Sequence, residues 1–169
     1  IKCFICVIAI FANARCLMSS SNETVSVIIP NYNHGCYLKE SVGSVISQTY
    51  TNIEIIVVDN FSDDNSKQVI LELMQCYPEV KIKFLEFDNR GIIASSRNYG
   101  VNHSEGALIA FLDADDIWEY NKLELQCAFL DDSVSAVSTQ FQPIGDTQYC
   151  YNYLTSILGE NKSVDVGYK

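Results

Sequence analysis

The chain has 169 residues, 48% of them hydrophobic and 19% charged, which is one domain's worth of sequence with enough apolar mass for a core and unlike a disordered tail. Eleven Lys and Arg against 21 Asp and Glu give a formal charge of −10. That balance argues against a nucleic-acid binder, which needs a basic surface to track phosphates. A phosphorylated ligand here needs a metal or local amides to neutralise it.

Residues 1–18 stand apart. Lys2 precedes an apolar run, Cys3 to Ala12, and Ala12-Asn13-Ala14 has small residues at cleavage-like spacing. Two readings follow, a secretory signal or a fragment boundary or mistranslated stretch; the run is too short to span a bilayer. Seven cysteines, scattered and odd in number, read as reduced thiols rather than a disulfide framework. Glycosylation sequons occur at Asn22, Asn60, Asn102 and Asn161. Asn60 falls in the expected ligand site, where a glycan would block function. The expectation is a cytoplasmic chain, with a peripheral place at a membrane left open.

From Thr24 the pattern alternates. Val25–Pro30 is a β-branched run that predicts a buried strand. The loop Asn31–Cys36 leads to a helix over Tyr37–Gln48, with Leu38, Val42, Val45 and Ile46 on one face. Glu54–Val58 predicts a second strand. Ser62-Asp63-Asp64-Asn65 can cap the next helix, faced by Val69, Ile70, Leu73 and Met74 and stopped by Pro78. Lys81–Phe87 predicts a third strand, Ala94–Val101 a helix, Leu108–Leu112 a fourth strand, Trp118–Leu130 a helix and Val134–Phe141 a fifth strand. Strands alternating with helices predict an α/β fold, a Rossmann-like, mainly parallel sheet with helices on both faces.

In such sheets ligands bind at the carboxyl ends of the strands. Four loops turn polar there: Pro30-Asn31-Tyr32-Asn33, Asp59-Asn60, Asp88-Asn89-Arg90-Gly91 and Asp113-Ala114-Asp115-Asp116. Carboxylates two apart after a buried strand project to one side. Asp113 and Asp115 suit Mg²⁺ or Mn²⁺, which takes one or two carboxylates and completes its shell with phosphate and water. The alternative is an acidic helix N-terminus, the preferred reading for Asp116. Asp59 either caps the loop to Ser62 or accepts a hydrogen bond from a nucleobase. Tyr32 either sandwiches a base or is ordinary packing. Other α/β chemistries fit less well. There is no Gly-x-Gly-x-x-Gly after the first strand and no P-loop, the acid pair follows strand four rather than strand one, and His34 and His103 form no triad.

Five blocks, in order, resemble family 2 glycosyltransferases of the GT-A fold: Val25–Asn33 (VSVIIPNYN), Ser44–Tyr50 (SVISQTY), Glu54–Asn60 (EIIVVDN), Ala94–Asn98 (ASSRN) and Phe111–Trp118 (FLDADDIW). The resemblance covers about residues 24–124 and makes 24–169 the nucleotide-sugar-binding part of such a domain. It implies a nucleotide-diphospho-sugar donor, a glycan or lipid-linked acceptor, Mn²⁺ or Mg²⁺, and inverting transfer to a hydroxyl. By resemblance Pro30, Tyr32 and Asp59 contact the base side, Asp113 the ribose and Asp115 the metal, and Arg97 binds the donor or braces its loop. The family often has Pro shortly after the Trp, where this chain has Glu119-Tyr120-Asn121. The family's acceptor site and general base belong to a further C-terminal portion, expected beyond Lys169, and Glu160 and Asp165 sit in no recognisable motif. A non-catalytic nucleotide-binding module is the alternative.

Overall fold

β-Branched runs with no polar interruption suit strands covered on both faces, and such strands form the centre of the molecule. The computed structural model describes residues 11–12, 23–130 and 136–139. Its elements are β1 (Phe11–Ala12), β2 (Val25–Asn31), α1 (Gly35–Ile46), β3 (Ile53–Asp59), α2 (Ser66–Cys76), β4 (Lys81–Glu86), α3 (Ile93–Asn102), β5 (Leu108–Phe111) and α4 (Lys122–Ala128). The sheet order is β1-β5-β2-β3-β4. β2 to β5 run parallel, with Asn31 opposite Asp59 and Ile28 opposite Phe111, and β1 pairs antiparallel with β5 through Phe11 and Ile109. The apolar leader thus supplies a short edge strand, which its sequence pattern did not suggest.

Side-chain alternation along each strand builds two cores. Val25, Val27, Ile29, Ile55, Val57 and Ala110 face one way and pack with Leu38, Val42 and Val45 of α1, Ile70 and Leu73 of α2, and Leu123 of α4. Ile28, Ile56, Val58 and Ile109 face the other way and meet Tyr99 and Val101 of α3. Helices therefore cover both faces. Gly100 lets α3 press close, since a Cβ there would lie 2.5 Å from Ile28 Cγ2.

The helix expected over Trp118–Leu130 is shorter, Lys122–Ala128. Ser44 of α1 and Gln48 just beyond its end hold the preceding segment open. Ser44 Oγ accepts from Trp118 N (3.1 Å), Gln48 Nε2 donates to Glu119 O (2.7 Å), and Gln48 Oε1 accepts from Leu123 N (3.0 Å). With Trp118 N and Glu119 O satisfied outside a helix, Trp118 drops into the core. Of the strand expected over Val134–Phe141, residues 136–139 are described and lie in no strand; the rest fall outside the described residues.

At the amino ends of the strands, Glu54 is fully buried. Its Oε1 accepts from Ser26 Oγ (2.5 Å), Glu105 N (2.5 Å) and Gly106 N (3.0 Å), and Lys83 Nζ lies 3.2 Å from Oε2. This carboxylate ties the turn before β5 under β2 and β3, at the edge opposite the ligand loops.

Candidate active site at the carboxyl edge

The chain leaves β2 towards β3 and β4 on one side and returns as β5 on the other. The sheet order reverses between β2 and β5, the place where open α/β sheets open a crevice for ligands.

The loops after β2 and β3 are one hydrogen-bonded unit. Asn31 Nδ2 donates to Asp59 Oδ1 (2.6 Å) and to Ser62 Oγ (3.2 Å). Asp59, 2% exposed, also accepts from Ser62 Oγ on Oδ1 (2.6 Å) and from Ser62 N on Oδ2 (2.8 Å). It therefore caps its own loop. A carboxylate has about four acceptor positions; two on Oδ1 and one on Oδ2 are filled, which leaves one on Oδ2. Further ties run from Asn60 N to Asn31 O (2.9 Å), Asn33 N to Ser62 Oγ (2.9 Å) and Asp63 N to Asn33 Oδ1 (3.0 Å). Pro30 is half-buried at the end of β2 and Tyr32 is exposed.

Asp64 joins the starts of two helices. Its Oδ2 accepts from Gly35 N (2.8 Å) and its Oδ1 from Ser66 N (2.9 Å). Burial pushes its carboxyl up, but the bonds from Ser66 and Gly35 and the nearby His34 outweigh this and hold it below the usual range. The side chain of Asn65, at the cap position of α2, makes no capping bond.

Asn89 links the loop after β4 to its neighbours. Its N–H donates to Asn60 Oδ1 (3.0 Å), its Nδ2 to Ser96 Oγ (2.9 Å), and its Oδ1 accepts from Gly91 N (2.8 Å). Arg90 and Gly91 are both left-handed, at φ 53° and 76°, so the chain reverses sharply into α3. After β5, Leu112 and Ala114 are buried while Asp113 and Asp115 are half-buried, the alternation expected of a chain still extended. Arg97 of α3 donates from Nη2 to Asp113 Oδ1 at 2.6 Å, with its guanidinium 6.0 Å from the Phe111 ring centre. Asp116 is buried and donates its N–H to Asp113 O (3.0 Å); lying six residues before α4, it does not serve as that helix's N-terminus.

The structure thus brings Pro30, Tyr32, Asp59, Arg97, Asp113 and Asp115 to one edge, on the loops after β2, β3 and β5 and on α3. Asn31, Ser62 and Asn89, which organise that edge, are not singled out by the sequence. Their signal is weak, a polar residue ending or following an apolar strand. Among the described residues no group of three or more His, Cys, Asp or Glu side chains cages a metal. Mn²⁺ or Mg²⁺ typically takes one or two carboxylates and fills the rest of its shell with phosphate and water, and Asp113 and Asp115 are the carboxylates that could supply them. Glu160 and Asp165 lie outside the described residues.

The chain is 40% identical over 106 residues to the Escherichia coli UDP-Glc:alpha-D-GlcNAc-diphosphoundecaprenol beta-1,3-glucosyltransferase WfgD, covering 63% of this chain and 40% of that protein. It spans less than half the length of the curated relatives it matches. Among solved structures it is similar to Staphylococcus aureus TarS 1-349 in complex with UDP-GlcNAc (TM-score 0.57, 30% identity, 63% of this chain and 30% of that one). It is also similar to the mannosyltransferase PcManGT from Pyrobaculum calidifontis in complex with GDP-Man and Mn²⁺ (TM-score 0.53, 27% identity, 56% of this chain and 28% of that one). The fold is α/β and GT-A-like, as the sequence blocks implied. The family model for glycosyl transferase family 2 matches residues 26–163, and the chain belongs to that family.

Proposed function

We propose that this chain carries the donor site of an inverting, metal-assisted glycosyltransferase that moves a sugar from a nucleotide-diphospho-sugar to the hydroxyl of a glycan or lipid-linked acceptor. The observation that carries the reading is the Arg97–Asp113 pair beside Asp115 at the sheet's reversal point, next to the Asn31–Asp59 unit. The donor-binding part begins at the first long strand and lies within residues 24–169.

In this reading Pro30, Tyr32 and Asp59 receive the base, with the remaining acceptor position on Asp59 Oδ2 taking a base N–H. Asp113, oriented by Arg97, accepts from a ribose hydroxyl. Asp115, with Asp113 beside it, would hold Mn²⁺ or Mg²⁺, which when bound neutralises the diphosphate leaving group. The acceptor oxygen attacks the anomeric carbon from the face opposite the diphosphate. The new C–O bond forms as the old one breaks, and a carboxylate base takes the hydroxyl proton.

A cytoplasmic site, peripheral at a membrane, suits the acceptor class. In its support, Asn60 of the Asn-Phe-Ser sequon stands inside the site, its Oδ1 accepting from Asn89 N, where a glycan on its amide nitrogen would crowd the donor. Among the described residues no helix is long and apolar enough to cross a membrane.

The test is a thermal-shift titration of the full chain with UDP and GDP, with Mn²⁺ or with excess chelator. A rise in melting temperature only with metal is expected, because a chain of charge −10 attracts a diphosphate poorly unaided. Equal stabilisation in chelator overturns the metal bridge, and no response to either nucleotide overturns the donor site.

A further inference from the structure

Phe61 is out of place by every local rule. Its φ is +53°, a region where a bulky L-residue is strained, and its ring is 60% exposed. A small residue would relieve the strain and remove the apolar surface. Backbone strain of this kind persists where the surroundings over-determine it, and it concentrates at ligand sites.

The surroundings are rigid. On one side of Phe61, Asn60 N is bonded to Asn31 O and Asn60 Oδ1 accepts from Asn89 N. On the other, Ser62 is bonded to Asp59, Asn31 and Asn33. Phe61 is therefore fixed from both ends while its own side chain is left in solvent. Tyr32 stands in the same relation on the neighbouring loop, 55% exposed between the bonded Asn31 and Asn33. Asn31 and Asp59 are direct partners across β2 and β3, so the two aromatic residues follow adjacent strand ends by one and two positions.

We propose that Phe61 is a base-contacting residue of the donor site, its ring offering with Tyr32 an aromatic surface for the nucleobase. The inference rests on the donor-site reading above and adds a contact to it. A planar base is the part of such a donor that an aromatic face recognises, by stacking, while sugar and phosphates call for hydrogen bonds and charge. Asp59 precedes Phe61 by two residues, and one acceptor position on its Oδ2 is unfilled for the edge of the same base.

The experiment compares the full chain with Phe61→Gly and Phe61→Leu, reading UDP, GDP and inorganic pyrophosphate binding with Mn²⁺ by calorimetry and the melting temperature without ligand. Phe61→Gly should bind both nucleotides roughly tenfold more weakly yet melt about 2–4 °C higher, because glycine accepts the positive φ. Phe61→Leu, equally strained but without a π face, should lose nucleotide affinity without gaining stability. Pyrophosphate binding should be the same in all three. Nucleotide affinity unchanged in both variants overturns the role of Phe61 while leaving the donor site intact. Equal losses for pyrophosphate and nucleotide overturn it too, since they would mark loop collapse. A parent chain that binds neither nucleotide overturns the donor-site reading itself, and this proposal with it.

Discussion

Arg97 donates from Nη2 to Asp113 Oδ1 across 2.6 Å, joining a helix on one face of the sheet to the loop that follows β5. Both side chains are partly exposed, at 35% and 42%, so the pair contributes little to stability, about 0–1 kcal/mol. Its effect is geometric. It fixes the carboxylate rotamer and turns one oxygen towards α3.

Replacing Arg97 should therefore cost affinity rather than stability. Arg97→Ala is expected to weaken UDP binding in Mn²⁺ by about tenfold, close to the loss of one charge-assisted hydrogen bond, while denaturant unfolding moves by less than about 1 kcal/mol. Arg97→Lys should recover only part of the affinity, because an ammonium lacks the planar fork. Unfolding that shifts by several kcal/mol with unchanged affinity would make Arg97 a structural brace.

The two half-buried aspartates should separate in a metal titration. Asp115→Asn is expected to abolish the Mn²⁺ dependence of UDP binding, since an amide is a poorer ligand for a hard cation than a carboxylate. Asp113→Asn should weaken UDP binding about tenfold and keep a metal response, the neutral amide being a weaker partner for Arg97. Calorimetry in which both variants bind like the parent would leave the motif without a ligand role.

The sheet and the site edge were legible because they depend on short-range patterns. Apolar runs such as Val25–Pro30 and Glu54–Val58 admit few other structures, and the carboxyl-edge rule then points to Asp59 and Asp113. What escaped the sequence depends on contacts distant along the chain. Ser44 and Gln48 look like the end of a helix, yet they hold Trp118 and Glu119 out of one and tie the first turn of α4 at Leu123. Glu54 looks like the polar start of a strand, yet it is buried among groups up to 52 residues away. Asp59 illustrates both cases. Its place was readable, whereas its hydrogen bonds to Ser62 were one of two readings the spacing allowed.

Glu54 predicts an acid-sensitive fold. Burial alone would raise its carboxyl, but hydrogen bonds from Ser26, the Glu105 and Gly106 amides and Lys83 reverse this and hold it below the usual range. Glu105, bonded to Lys81 and Lys83, is lowered to about 2. A lowered folded pKa stabilises the protein above the unfolded pKa and is lost as pH falls through the folded one. Stability should thus decline from about pH 5 downwards. Glu54→Gln should cost about 1–3 kcal/mol at pH 7, since it weakens the charge-assisted bonds from Ser26 and the two amides while Lys83 keeps Glu105. It should also flatten that acid slope. Urea unfolding at pH 7 and pH 4 reads both, and a variant with the parent's slope would assign the acid sensitivity elsewhere.

Gly100 predicts a coupling between packing and the site. A Cβ at this position would meet Ile28 Cγ2 at 2.5 Å and Val58 Cγ2 at 3.2 Å, on the face where α3 lies against the sheet. Helix propensity alone favours Ala over Gly by about 1 kcal/mol. Overpacking opposes it by about 1–3 kcal/mol. Gly100→Ala should therefore be neutral to destabilising, by up to about 2 kcal/mol. It should also lift the helix that carries Arg97, so UDP affinity falls even where stability barely changes. Ile28→Ala removes the methyl that the new Cβ meets, at a cost of its own of about 2–5 kcal/mol. The double variant should then be more stable than the sum of the two single effects predicts, and should regain part of the lost affinity. Strict additivity in unfolding free energy would mean that α3 shifts without strain, and an affinity untouched by Gly100→Ala would mean that Arg97 holds its place independently of the packing beneath it.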